Sequence, residues 1–183
     1  MLKAFNVVGT MLTCLLLASC GDSTGPEEGV FSVTIGGDTT LTVEGEAIFG
    51  LSTTQGVEHW VIFLSRGTFG GLDFDAVAIG RHGSATPIGV GTHPIADADS
   101  DATQSEDIDA VYALQRSADG SIGYYGSESG TLTISNADDD RIRGEFNFTA
   151  EFEFAVGAFG EIRNLTLEGS FTAVRGDVPS IGS

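Results

Sequence analysis

The chain has 183 residues with 26 acidic side chains against 8 basic ones, a formal net charge of −18; so acidic a surface argues against nucleic acid phosphates as a partner and against an electrostatic hold on anionic lipid. Its two cysteines, Cys14 and Cys20, both lie near the N-terminus, which leaves the remainder without a disulfide or a catalytic thiol and makes the fold depend on its core, for which about 150 residues suffice. The 26 Gly, 12 Phe and only 4 Pro point to strands joined by glycine turns.

Residues 1–19 carry the three parts of a secretory signal: Lys3 as the basic start, an apolar run from Val7 to Leu17, and small residues at Ala18 and Ser19. The run is too short to remain as a membrane-spanning helix. Leu17-Ala18-Ser19-Cys20 resembles the lipobox of bacterial lipoproteins, and the resemblance implies a diacylglycerol on the Cys20 sulfur and cleavage that leaves Cys20 as the acylated first residue. Acyl chains at that position hold a protein to a bilayer at about 0.8 kcal/mol per buried methylene. Gly21, rather than Asp, follows the cysteine, which points to the outer membrane. Removing residues 1–19 takes away Lys3 and no acid, so seven basic residues then face 26 acidic ones.

Residues 20–29 read as the lipidated cysteine and a polar tether, because Gly, Ser, Pro and Glu cannot build a core. Gly21-Asp22-Ser23-Thr24-Gly25 matches the Gly-x-Ser-x-Gly pattern of hydrolase nucleophile elbows, which requires a strand before it and a helix after it. Here the lipidated cysteine precedes and Pro26 follows, and the match is read as linker.

From residue 30 the apolar residues alternate. Phe31, Val33 and Ile35 share one face, and Leu41, Val43, Ala47 and Phe49 form the next strand across the Gly36-Gly37-Asp38 turn. Trp60 to Leu64 is apolar on both faces, which predicts a central strand covered on two sides. Phe74–Ile79, Ile108–Leu114, Ile122–Tyr125 and Leu132–Ile134 follow as shorter strands. The clearest alternation runs from Ile142 to Val156, with an aromatic face through Phe146, Phe148, Phe152 and Phe154, and is repeated by Leu165, Leu167, Gly169, Phe171 and Ala173. The first of these runs is too long to stay flat, and Gly144 and Gly169 are the expected bend points. The pattern predicts an all-β domain over residues 30–176, either an antiparallel β-sandwich or a closed up-and-down β-barrel of about 8–10 strands, followed by a tail at 177–183. Glu and Arg on the second face of the long strands argue against a membrane-spanning barrel, whose outer band must be apolar.

Candidate chemistry is sparse. Asp97, Asp99 and Asp101 with Glu106, Asp107 and Asp109 form the densest acidic run; Ca²⁺ takes six to eight oxygens, but the EF-hand pattern is broken at Ala102 and Ile108, and a solvated acidic loop is the reading adopted. His59, His82 and His93 lack metal-ligand spacing. Glu145, Glu151 and Glu153 alternate on one strand face, where exposed Glu is the ordinary filler rather than a glycosidase pair. Trp60, Tyr112, Tyr124 and Tyr125 are of a kind that stacks on sugars and, in β domains, more often fills the core.

Four segments taken in order, Gly89-Val90-Gly91-Thr92-His93-Pro94-Ile95, Gly130-Thr131-Leu132-Thr133-Ile134, Gly144-Glu145-Phe146-Asn147-Phe148-Thr149-Ala150 and Leu165-Thr166-Leu167-Glu168-Gly169-Ser170-Phe171, resemble a family of uncharacterised bacterial envelope lipoproteins with a small all-β domain. The resemblance spans residues 87–175 and departs at His93, where that family carries an aromatic residue. It implies a tethered envelope domain and brings no catalytic residues with it.

The sequence therefore predicts a lipid-anchored, non-enzymatic binding or interaction module of the cell envelope. Cys20 is the lipid attachment site, with no metal or cofactor, and the partner is either a small apolar ligand inside the Phe-rich domain or an envelope protein on its acidic surface. A structural envelope component is the alternative. An envelope hydrolase would need a nucleophile, a base and oxyanion donors converging in one cleft.

Overall fold

Buried and more exposed side chains alternate along residues 30–36, 108–115 and 141–150, and only the extended conformation gives that period of two. The computed structural model describes residues 29–37, 40–54, 56–68, 73–81, 83–98, 107–116, 120–156 and 164–179. Among the described residues nine strands are formed: β1 (Val30–Gly36), β2 (Leu41–Thr54), β3 (Val57–Arg66), β4 (Phe74–Arg81), β5 (Gly91–Ile95), β6 (Ile108–Gln115), β7 (Ile122–Ala137), β8 (Arg141–Val156) and β9 (Asn164–Arg175). They close into a barrel in the order β1-β2-β3-β4-β6-β5-β7-β8-β9, with β1 pairing antiparallel to both β2 and β9.

The barrel is not purely up-and-down. β5 is wedged between β6 and β7, while β6 and β7 still pair directly from Val111↔Gly126 to Gln115↔Ile122. Thr92 and Pro94 are exposed and Ile95 is buried, a pattern too short and too polar to announce a strand. The two runs expected at 122–125 and 132–134 are one continuous strand, β7, whose register against β8 slips at Tyr124/Tyr125, Ser127/Ser129 and Ile134/Asn136. These bulges break the alternation that would have joined the runs in the sequence, and they bend a 16-residue strand around the core.

One contiguous cluster fills the interior, including Val43, Ile62, Leu64, Ile79, Leu132, Phe146, Phe148 and Leu167. Ile88, in the segment between β4 and β5, is 1 % exposed and belongs to the same cluster. Four of the Phe side chains stand opposite a glycine on the neighbouring strand: Phe31↔Gly45, Phe148↔Gly130, Phe171↔Gly144 and Phe146↔Gly169. A Cβ at Gly169 would lie 2.9 Å from the Phe146 ring and 2.7 Å from the Ser32 carbonyl oxygen; one at Gly144 would lie 2.9 Å from the Phe171 ring. At Gly144 and Gly169 the volume left by the missing side chain is taken by the ring across the ladder.

β3 is apolar on both faces because it is covered on both. Trp60, Ile62 and Leu64 point inward, while Val61 and Phe63 pack outside the barrel with Phe74, Ala76 and Val178. Residues 176–179 lie along this wall, fixed by Gly176 N–H to the Phe49 carbonyl (3.0 Å) and by the Ser52 hydroxyl to the Pro179 carbonyl (3.0 Å).

Candidate functional site

Among the described residues, polar chemistry gathers at a clasp at one end of the barrel, along a trough on the outer wall, and in a slot on the opposite wall, beside which a further hollow is lined by Asp97, Glu128, Glu151 and Glu153.

The clasp lies at the end where β3 finishes and β4 begins. Asp75 is 2 % exposed and faces Arg66 directly across the ladder. Its carboxylate accepts from the Arg66 guanidinium, from Arg116 Nη2 at 2.9 Å and from the Tyr112 hydroxyl at 2.7 Å. Burial pushes the Asp75 carboxyl up, but hydrogen bonds from Arg116 and Tyr112, the Arg116 charge and the Arg66 bond outweigh it and hold the group below the usual carboxylate range. Burial, and then the Asp75 charge and hydrogen bond, push the Tyr112 phenol far upward, so it stays a donor. Burial lowers Arg116, yet Asp75 more than compensates and keeps the guanidinium charged. An anion fixed this firmly is a clasp rather than a proton carrier, because a general base needs an affinity for its proton near the working pH. Beside it, the Tyr125 ring lies 5.8 Å from Tyr112, and its buried hydroxyl has no partner among the described residues.

The trough crosses β7, β8, β9, β1 and β2 on the outside. The ladder sets Thr133, Glu145, Ser170, Ser32 and Glu44 side by side, one per strand. A second row runs through Thr131, Asn147, Glu168 and Thr34. Two adjoining hollows of about 550 and 530 Å³ lie along these rows and share Ser32, Thr133, Glu145 and Ser170. Hydroxyls, an amide and three carboxylates line them, with Arg143 at one edge and with Val30, Phe31 and Phe171 also lining the first. This surface offers hydrogen bonds and negative charge, and it is unlike the apolar band of a lipid-embedded barrel.

The slot lies on the outer wall of β3, β4 and β6, between the C-terminal segment and residues 96–98. It encloses about 290 Å³. Val61, Ala78, Gly80 and Val111 form its floor; Ser52, Thr54 and His59 stand at one side, Ala98, Asp109 and Glu153 at the other, and Arg81 lines it from the end of β4. Ser127, 1 % exposed, pins the 96–98 segment by donating to the Ala96 carbonyl (2.7 Å) while accepting from Ala110 N–H (3.0 Å).

The residues singled out from sequence fall as follows. Cys20, the Gly21–Gly25 pattern, His82, Asp99, Asp101 and Glu106 lie outside the described residues. His59 is 8 % exposed, and its Nδ1 accepts from Gly83 N–H at 2.8 Å. His93 Nε2 lies 2.9 Å from the Gly89 carbonyl on β5's flank. Among the described residues, no group of three or more His, Cys, Asp or Glu is placed to hold a metal ion. Glu145, Glu151 and Glu153 all face solvent, and Glu153 also borders the slot. Trp60, Tyr112 and Tyr125 belong to the core, whereas Tyr124 stacks on the half-exposed Phe154 at 4.5 Å. The Phe-rich inner face is itself packed, with Phe146 touching both Phe148 and Phe171.

Sequence reasoning missed the clasp, although its signal was present. Arg66 continues the inward parity of Trp60, Ile62 and Leu64; Asp75 shares that of Val77 and Ile79; Arg116 follows Tyr112 and Leu114. Three charges on core-facing positions of neighbouring strands imply mutual pairing, since a buried charge without a partner is costly.

Comparisons with family models, with curated proteins and with solved structures returned no match.

Proposed function

We propose that the protein is a lipid-anchored module of the cell envelope, held by acyl chains on Cys20 at the outer membrane, that binds an envelope protein partner through the outer wall of its barrel. The observation that carries the binding part is the division of labour in the barrel. The interior is taken up by the apolar cluster, while the trough presents rows of hydroxyls and carboxylates. Recognition on such a wall favours a partner with exposed amides, hydroxyls and basic side chains, because each carboxylate accepts strong charge-assisted bonds. The lipobox-like Leu17-Ala18-Ser19-Cys20 supports the anchor.

Topology adds an orientation. Gly29 enters β1 at the end of the barrel where β9 finishes, and it lies nine residue steps along the chain from Cys20. A chain of that length reaches about 30 Å at most. The anchored barrel therefore stands with this end toward the bilayer and the Asp75 clasp at the far end.

A photo-crosslinking amino acid at Ser170, exposed in the middle of the trough, tests the reading in cells. The expected result is one discrete adduct that is lost when Glu44, Glu145 and Glu168 are changed to Gln, with no such adduct from Leu51, exposed outside the trough. Equal labelling from both positions, or an adduct indifferent to the three substitutions, overturns it.

A further inference from the structure

We propose that the part of the partner seated in the trough is an extended, basic stretch of chain, lying across the barrel strands with Lys or Arg side chains four residues apart on Glu145 and Glu44. This rests on the reading of the trough as a protein-binding wall and names the chemistry and conformation of what that wall takes. Glu145 on β8, Ser170 on β9, Ser32 on β1 and Glu44 on β2 stand in one register row. Among the described residues none of these four side chains makes a hydrogen bond or an ion pair, and neither does Glu168 in the row below. Arg143, two residues before Glu145 on the same face of β8, forms no ion pair with it. The β7 side of the wall is different, for Thr133 is bonded to Thr92 and Thr131 to Asn147, both at 3.2 Å. The open part of the wall therefore runs from β8 to β2 and carries three carboxylates with no countercharge among the described residues.

Shape selects the conformation. The first hollow touches Thr133 on β7 and Glu44 on β2, a span of four strand spacings, or about 19 Å at about 4.8 Å each. Its volume of about 550 Å³ spread over that length leaves a mean cross-section of about 29 Å². An α-helix, about 10–12 Å across with its side chains, is too broad for such a channel, whereas a single extended chain lays its side chains into it. Length sets the spacing. Glu145 and Glu44 are three strand spacings apart, about 14 Å, and an extended chain advances about 3.3 Å per residue with alternate side chains on one face. Residues i and i+4 thus reach the two carboxylates together, while residue i+2 comes down over Ser170 and Ser32. Val30, Phe31 and Phe171 line the same hollow and give the hydrocarbon stems of the basic side chains an apolar surface to lie on. Charge fixes the sign, because carboxylates accept charge-assisted bonds from ammonium and guanidinium groups, and the net charge of −18 draws cations and repels an acidic chain.

The test uses full-length, isotope-labelled protein in dodecylphosphocholine micelles, titrated with two eight-residue Ser/Thr peptides of identical composition and blocked termini. One carries lysines at its positions 2 and 6, the other at 2 and 3, where the two side chains point to opposite faces of an extended chain. The expected result is saturable shifts of the Ser32, Glu44, Glu145 and Ser170 amides with the first peptide, and binding about fivefold weaker with the second. Glu44→Gln combined with Glu145→Gln should weaken the first peptide by about fivefold and abolish the difference between the two. Glu128→Gln combined with Glu151→Gln, an equal change of charge in the hollow beside the slot, should leave its binding unchanged. Equal binding of the two peptides, an equal loss from the second pair of substitutions, or no saturable shift at these amides overturns the proposal. A Ser170 adduct in cells that needs the three glutamates, found alongside any of those results, keeps the protein-partner reading and removes only the extended basic segment.

Discussion

Replacing Asp75 by Ala is expected to lower the stability of the barrel by about 3 kcal/mol at neutral pH, within the range for removing one partner of a buried charged pair. The carboxylate is 2 % exposed, and three donors converge on it. Its loss strands the Tyr112 hydroxyl inside the barrel, which alone costs about 1–3 kcal/mol. The two arginines suffer less, because their side chains remain 41 % and 32 % exposed and water can take over part of their solvation. The same substitution changes the pH response. Since the folded protein holds Asp75 below its ordinary value, the stability it contributes is fully present above the unfolded carboxylate value of about 4. That contribution is lost as pH falls through the lower folded value. Urea denaturation at pH 7 and in steps down to pH 2 should therefore show wild type and Asp75→Ala converging in acid. A variant within about 0.5 kcal/mol of wild type at pH 7 would contradict the clasp, as 0.5 kcal/mol is the scatter of ordinary surface changes.

Phe146→Ala should cost about 3–5 kcal/mol, the range for truncating a buried aromatic ring. Phe146 is 1 % exposed, with ring centroids 5.8 Å from Phe148 and 6.4 Å from Phe171. Its ring also fills the space that Gly169 leaves on the next strand. The cavity would thus open against backbone on one side, which cannot collapse inward without breaking ladder bonds, and this places the cost toward the upper end. Chemical denaturation with an unchanged slope would show that the loss is energetic rather than a change of fold. A loss under about 1 kcal/mol would mean that the interior is loosely filled.

The legibility of the chain follows from how local each signal is. β8 and β9 were readable because one face is aromatic and the other charged over a dozen residues or more, so only one pleat assignment buries the Phe side chains. The covered outer face of β3 was readable for a similar reason, as Val61 and Phe63 have no place in a wall open to water. β5 escaped because its partners lie far off in sequence at Leu132 and Ile134, and its own residues do not alternate in hydrophobicity. The unity of β7 escaped because bulges shift the phase of its pattern. The clasp, the trough and the slot are assembled from strands distant in sequence, and the register that unites Ser32, Glu145 and Ser170, or Asp109 and Val61, is a property of barrel closure rather than of any one segment.

The most direct test of the whole account is the intact mass of the protein recovered from its native membranes. The account predicts a chain that begins at Cys20 and exceeds the mass of residues 20–183 by a diacylglycerol and a further acyl chain. It also predicts that Cys20→Ser removes the added lipid. A mature chain without that added mass, or one released free of the membrane, would contradict it.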